Sequence, residues 1–222
     1  MKGLPELLRG TALFDGAGRD ELESVLLDLN AVRKTYAKGE TVVHAGFRAD
    51  RLMVVASGHL HCYELFKDDH PVLVREIGSG EVLGLWLLYV PEIDCWPGTV
   101  VAAEPSVLVS LDMARARRAL ETGGPRVGRV TLNALKILSR ELFSTWRKLL
   151  VMDAPTIEAR IQVYLSELDN ETGHTGRVTV PFDRERMAEY FGVTRPALSR
   201  ALGHMRDRGL LTWRKNVFSV RF

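Results

Sequence analysis

The stretch Phe191-Gly192-Val193-Thr194-Arg195-Pro196-Ala197-Leu198-Ser199-Arg200 decides how the chain is read. Asp183 is placed to cap a helix over Arg184 to Phe191, and Gly192 supplies a tight turn. Thr194 caps a second helix, which runs to about Arg208 before Gly209 stops it. With about 100° per residue, Arg195, Pro196, Ser199, Arg200 and Gly203 share one face of that helix, and Leu198, Ala201, Leu202 and Met205 share the opposite one. The apolar face belongs to a core. The other is slim and basic, which suits a major groove about 12 Å wide where arginine can bind guanine or clamp phosphate. Pro196 falls in the first turn, where its missing N–H costs nothing.

On the C-terminal side, Leu210 to Trp213 and Val217 to Val220 read as a hairpin, joined through Arg214-Lys215-Asn216 into a basic tip. From Arg177 onward there are ten basic residues against four acidic ones, although the whole chain carries only +2. Exposed arginines alone would mark no more than a solvated surface. Helix, turn, slim helix and basic hairpin together predict a winged helix-turn-helix that binds duplex DNA. Thr194, Arg195, Pro196, Ser199 and Arg200 are expected at the groove, with Arg214 and Lys215 on phosphate. Either Arg195 or Arg200 could read a base, since Arg195 lies near the helix start and could hold phosphate instead.

On the N-terminal side, Leu22, Val25, Leu26 and Leu29 have helical spacing behind an anchoring Leu13-Phe14. From Ala31 to about Asp112 the pattern becomes short apolar runs, Leu52 to Ala56, Val72 to Val74 and Val107 to Leu111, punctuated by Lys38-Gly39, Ser57-Gly58 and Gly78-Ser79-Gly80. That predicts an antiparallel roll or sandwich acting as a sensor domain. After Gly123-Gly124-Pro125, a long helix carries Leu135, Leu138, Leu142, Thr145, Leu149 and Met152 as a heptad seam. Phe143, Trp146 and Leu150 form a second stripe on a different face, which could pack on the β-domain. A helix apolar on two faces needs two partners, so Leu135, Leu138, Leu142 and Leu149 are expected to pair two copies of the chain; a buried helix in a monomer is the alternative. Asp153-Ala154-Pro155 interrupts the helix as a hinge, and Thr156 to Leu168 reads as another amphipathic helix ahead of a polar loop over Asp169 to Arg177.

The 222 residues, 46% hydrophobic, suffice for one large or two modest domains. No apolar run approaches the roughly 20 residues a membrane span needs, and Met1 to Gly10 lacks the features of a secretory signal. A cytoplasmic location is expected, in which Cys62 and Cys95 are free thiols.

Further fragments are Leu13-Phe14, Tyr36-Ala37-Lys38-Gly39-Glu40, Gly46 with Ala49-Asp50, Ser57-Gly58, Gly78-Ser79-Gly80-Glu81-Val82-Leu83-Gly84 and Ala103-Glu104. Their order and spacing, followed by the 191–200 stretch, resemble the CRP/FNR family (cAMP receptor protein, fumarate-nitrate reduction regulator) over nearly the whole chain. The resemblance implies an α+β fold: an N-terminal antiparallel β-roll like the jelly roll of cyclic-nucleotide-binding domains, a long dimerisation helix and a C-terminal winged helix-turn-helix. The expected boundaries are 1–124, 125–153 and 154–222. It also implies a non-enzymatic homodimeric transcription regulator on a two-fold symmetric operator, with RNA polymerase as partner if it activates. In the family the recognition helix opens with Ser or Thr, then Arg, often Glu, with Arg further on. Thr194, Arg195 and Arg200 match, whereas Pro196 replaces a Glu that accepts from cytosine N4, which implies a different operator preference at that base pair.

In cyclic-nucleotide members the resemblance places a phosphate pocket after the Gly-Glu motif, closed by an Arg-Ser pair. Here the pocket begins at Gly84, Leu85 replaces the Glu, and Ile93-Asp94 replaces the Arg-Ser pair. A carboxylate there repels phosphate, so cyclic nucleotide is not expected to bind. Two distant cysteines do not make the four-cysteine set of an iron–sulfur cluster. No cofactor is predicted, though His59 and His61 fall on one side of an expected strand beside Cys62, donors that metal or haem ligation could use. Trp86, Leu87, Leu88 and Tyr89, with Ile93 and Trp96, remain around the expected pocket. It either holds a neutral or aromatic small-molecule effector or is filled by its own side chains. A cupin-like enzyme would need a clustered His/Glu set, whereas the histidines scatter over His44, His59, His61, His70, His174 and His204.

Overall fold

The computed structural model describes residues 3–65, 71–90, 92–123 and 125–222, so His70 and Gly124 lie outside the described residues. Helix α1 (Leu4–Leu8), a 3₁₀ turn at Ala12–Phe14 and helix α2 (Arg19–Asp28) open the chain. They bury Leu8, Leu13, Phe14, Leu22 and Leu26 in one core with the strands of the roll, as the helical spacing predicts. Next come β1 (Val32–Tyr36), β2 (Thr41–Val43), β3 (Arg51–Ser57), β4 (Leu60–Leu65), β5 (Pro71–Ile77), β6 (Val82–Leu83), the short helix α3 (Leu85–Tyr89), β7 (Thr99–Ala102) and β8 (Ser106–Asp112). They form two antiparallel four-stranded sheets, ordered β1-β8-β3-β6 and β2-β7-β4-β5. Central β3 and β8 are rich in Val and Leu and pair Leu52 with Leu111 and Val54 with Val109, all four buried. The turn from β3 into β4 requires its glycine. Gly58 has φ +98°, and a Cβ there would stand 2.2 Å from Ser106 Oγ.

Helix α4 (Met113–Thr122) starts where the Asp112 carboxylate accepts from the Arg115 N–H at 3.0 Å. Helix α5 (Pro125–Asp153) comes next, opened by a proline. Asn133, buried on α5, donates through Nδ2 to the carbonyls of Leu13 at 3.1 Å and Asp15 at 3.0 Å. Val130, Ala134, Ile137 and Leu138 pack on the roll's core.

The remaining elements are α6 (Ile157–Glu171), β9 (Arg177–Thr179), α7 (Arg184–Tyr190), α8 (Arg195–Asp207), β10 (Leu211–Arg214) and β11 (Val217–Val220). The wing is a three-stranded sheet ordered β10-β11-β9 rather than a lone hairpin. Val178 of β9, just past the expected polar loop, pairs with Phe218 and is buried. A second core gathers Val151, Ile161, Leu165, Met187, Phe191, Leu198 and Phe218. Contacts divide the chain into 1–139 and 140–222. The division falls inside α5.

Along α5 the apolar stripes are arranged differently from the expected seam. Leu132, Leu135, Leu142, Phe143, Trp146, Leu149 and Leu150 are all exposed, and at 3.6 residues per turn they share one arc of about 120°. Phe143, Trp146 and Leu150, which could have packed on the β-domain, therefore join the solvent-facing stripe; Val130, Ala134 and Ile137 pack on the roll instead. Leu138, at the edge of that stripe, is partly buried and packs on the roll's core.

Candidate nucleic-acid interface and sensor pocket

The reading head is built by caps and a turn. Asp183 accepts from the Arg186 N–H at 2.9 Å to start α7, and Thr194 Oγ1 accepts from the Ala197 N–H at 3.4 Å to start α8. Between them Gly192 sits at φ +66°, where a Cβ would stand 3.0 Å from Met152 Cε. The end of α5 thus covers the turn. Leu198, Ala201, Leu202 and Met205 are buried, while Thr194, Arg195, Pro196, Ser199 and Arg200 lie together on the accessible side. Arg195 makes a solvent-exposed ion pair with Glu185 at 3.6 Å, too weak to hold it from another anion. Arg214 and Lys215 are exposed at the β10–β11 tip, where Lys215 adopts φ +57°.

Three arginines have roles that spacing did not reveal. Arg184, one of the basic residues counted toward phosphate contact, lies half-buried under the wing, its guanidinium 5.4 Å from the Trp213 ring and 5.0 Å from that of Phe218. Burial lowers its pKa, and the group braces the wing on α7. Arg206 is exposed on α8, yet it bonds Asp207 through Nε at 3.1 Å and lies 5.7 Å from the Trp213 ring. Arg160 donates to the carbonyl of Ala154 at 3.1 Å and to that of Phe191 at 2.9 Å. It ties the α5–α6 corner to the end of α7, so the expected hinge is a braced corner.

In the roll, Trp96 is buried and Gly84 adopts φ +83°; a Cβ on Gly84 would stand 2.5 Å from the indole. Ile93 and Asp94 are exposed.

The family profile of a cyclic nucleotide-binding domain matches residues 33–122, and that of a Crp-like helix-turn-helix domain matches residues 159–221. The chain belongs to the CRP/FNR family. Among CRP/FNR relatives, the CRP-like cAMP-activated global transcriptional regulator of Mycobacterium tuberculosis is 22% identical over 207 residues, 93% of this chain and 90% of the other. The probable transcriptional regulator flp of Lacticaseibacillus casei is 26% identical over 172 residues, 77% of this chain and 75% of the other. The fold matches that of the c-di-GMP responsive regulator CLP of Xanthomonas campestris, with TM-score 0.58, 23% identity, 92% of this chain and 100% of that one. It also matches a CooA variant of Carboxydothermus hydrogenoformans, with TM-score 0.59, 16% identity, 90% of this chain and 86% of that one. Among the described residues no helix is long and apolar enough to cross a membrane.

In this CRP/FNR regulator the residues expected around an effector differ in exposure: Ile93 and Asp94 are exposed, and the buried Trp96 indole stands against Gly84. The roll also holds an apolar cavity of about 80 Å³ between α2, α3, α4 and α5, walled by Leu29, Leu85, Leu88, Ala116, Val130 and Ala134. Of Gly84, Leu85, Trp86, Ile93, Asp94 and Trp96, only Leu85 reaches it. Cys62 also parts from the histidines. It faces Gly98, whose Cβ would stand 3.1 Å from Sγ, and burial, reinforced by Glu64 and offset by Arg75, raises its thiol pKa.

Proposed function

We propose that this chain is a homodimeric, sequence-specific DNA-binding transcription regulator whose roll does not respond to cyclic nucleotide. One observation carries the DNA-binding part: Arg195, Ser199 and Arg200 stand on one slim accessible side of α8, whose other side is fixed in the core. Arg214 and Lys215 flank them on the wing as phosphate contacts. The exposed apolar stripe of α5 supports pairing with a second copy, and a two-fold dimer reads a two-fold symmetric operator. On an activated promoter the further partner is RNA polymerase.

Trp96 against Gly84 supports the insensitivity to cyclic nucleotide, because an indole beside the glycine that opens the expected pocket supplies no charge-assisted bonds to a phosphate. An effector of this protein is instead small and apolar, suited to the cavity beside Leu85. Calorimetry with cyclic AMP and cyclic GMP should show no binding; a low-micromolar constant for either overturns that part.

The test of DNA binding is an operator selected from random duplexes, followed by alanine at each of the five positions. Loss of a base-reading arginine should cost roughly 1–3 kcal/mol on the operator and little on random DNA. Alanine at Arg214 or Lys215 should weaken both and reduce the salt slope by about one. Unchanged operator affinity in all five variants would mean that α8 is not in the groove.

A further inference from the structure

We propose that His59, His61 and Glu76 form a binding site for one divalent transition-metal ion of the zinc class, on the face of the β2-β7-β4-β5 sheet turned away from the core. Register brings the donors together. His61 on β4 lies directly opposite Glu76 on β5, and His59 stands two residues before His61, on the same side of the chain. Leu60, between the two histidines, is fully buried, so the histidines point away from the roll's interior. His61 Nε2 is 3.6 Å from one Glu76 oxygen and His59 Nε2 is 4.0 Å from the other. One ligand atom from each of the three falls within 4.8 Å of the others.

Those separations are close to what an ion needs. A tetrahedral ion bonded at about 2.0–2.1 Å holds its ligands roughly 3.3 Å apart, so partly exposed side chains have only a short way to close. The chemistry also selects the ion. Two neutral imidazoles and one carboxylate suit zinc, nickel or iron(II), leave positions open to water, and do not suit the hard cations calcium and magnesium. His61 has an orienting partner as well. Its Nδ1 lies 3.1 Å from the Tyr63 hydroxyl, and with Nδ1–H donating to that oxygen, Nε2 keeps its lone pair for the metal. Cys62 lies on the opposite side of β4, against Gly98, so the set contains no thiolate. The site does not depend on the DNA-binding reading.

The experiment is calorimetric titration of the tag-free, chelator-treated full chain with zinc chloride, with cobalt(II) absorption as a second readout. We expect one zinc per chain, at least tenfold weaker binding in each of His59→Ala, His61→Ala and Glu76→Gln, and about tenfold weaker binding in Tyr63→Phe. Cys62→Ser should bind as the parent does, and excess calcium or magnesium should not compete. Thermal unfolding without metal, unchanged in the His59, His61 and Glu76 variants, separates ligand loss from misfolding. Absence of zinc binding at 100-fold molar excess overturns the proposal, as does affinity unchanged in His61→Ala and Glu76→Gln or lost in Cys62→Ser.

Discussion

Leu142→Glu should dissociate the proposed dimer without unfolding the chain. Leu142 is 72% exposed on α5. Fully burying a leucine contributes about 1.5–3 kcal/mol, so covering that exposed fraction is worth roughly 1–2 kcal/mol per copy. A two-fold interface contains the position twice, which gives roughly 2–4 kcal/mol and a dimer about 30- to 1000-fold weaker. Sedimentation equilibrium over a concentration series measures that shift directly, and operator binding should fall with it. Leu138→Glu is the contrasting variant. Leu138 packs on the roll's core, so its replacement should lower the thermal midpoint of the roll. A Leu142→Glu dimer as tight as the parent would refute the pairing through this stripe.

Arg184→Ala should cost about 1–2 kcal/mol by removing the brace under Trp213 and Phe218, seen as a lower melting temperature, and should leave the salt slope of DNA binding unchanged because its guanidinium is turned onto those two rings. Gly192→Ala should destabilise by about 1–2 kcal/mol, since φ +66° strains any Cβ and Met152 crowds it; chemical denaturation measures the loss. Burial, reinforced by Tyr190, pushes the Tyr164 phenol up to about 12. The folded chain therefore keeps a proton that the unfolded chain releases near pH 10, so this contribution is full below pH 10 and is lost as pH rises to about 12, on the order of 3 kcal/mol. Tyr164→Phe should flatten that alkaline decline in denaturation curves taken between pH 9 and 12.

Local signals made the reading head legible: Asp183, Gly192, Thr194 and Gly209 each act within a few residues, and the structure uses all four as caps, turn or stop. Periodicity also exposed α5, but not which stripe faces inward. Leu138 and Leu142 are a turn apart on one seam by spacing, and only the position of the roll separates them. Non-local features stayed hidden for the same reason. The meeting of Glu76 with His61 depends on the register between β4 and β5, and the inward turn of Trp96 goes with the backbone pairing of Asp94 and Trp96 with Gly46, Phe47 and Ala49. Arg184 looked like its basic neighbours until the wing folded over it.

The packing of the end of α5 on the Gly192 turn matters to anyone exchanging the reading head between regulators. A graft cut at the helix break, before Ala154, would discard buried Val151, the Met152 cover over Gly192 and the Arg147–Glu171 ion pair. The transplanted head would arrive with an open seam beside its own turn. A graft cut between Ser139 and Arg140 carries those contacts with it, so the C-terminal half of α5 is part of the portable module even though it precedes the DNA-binding domain in sequence.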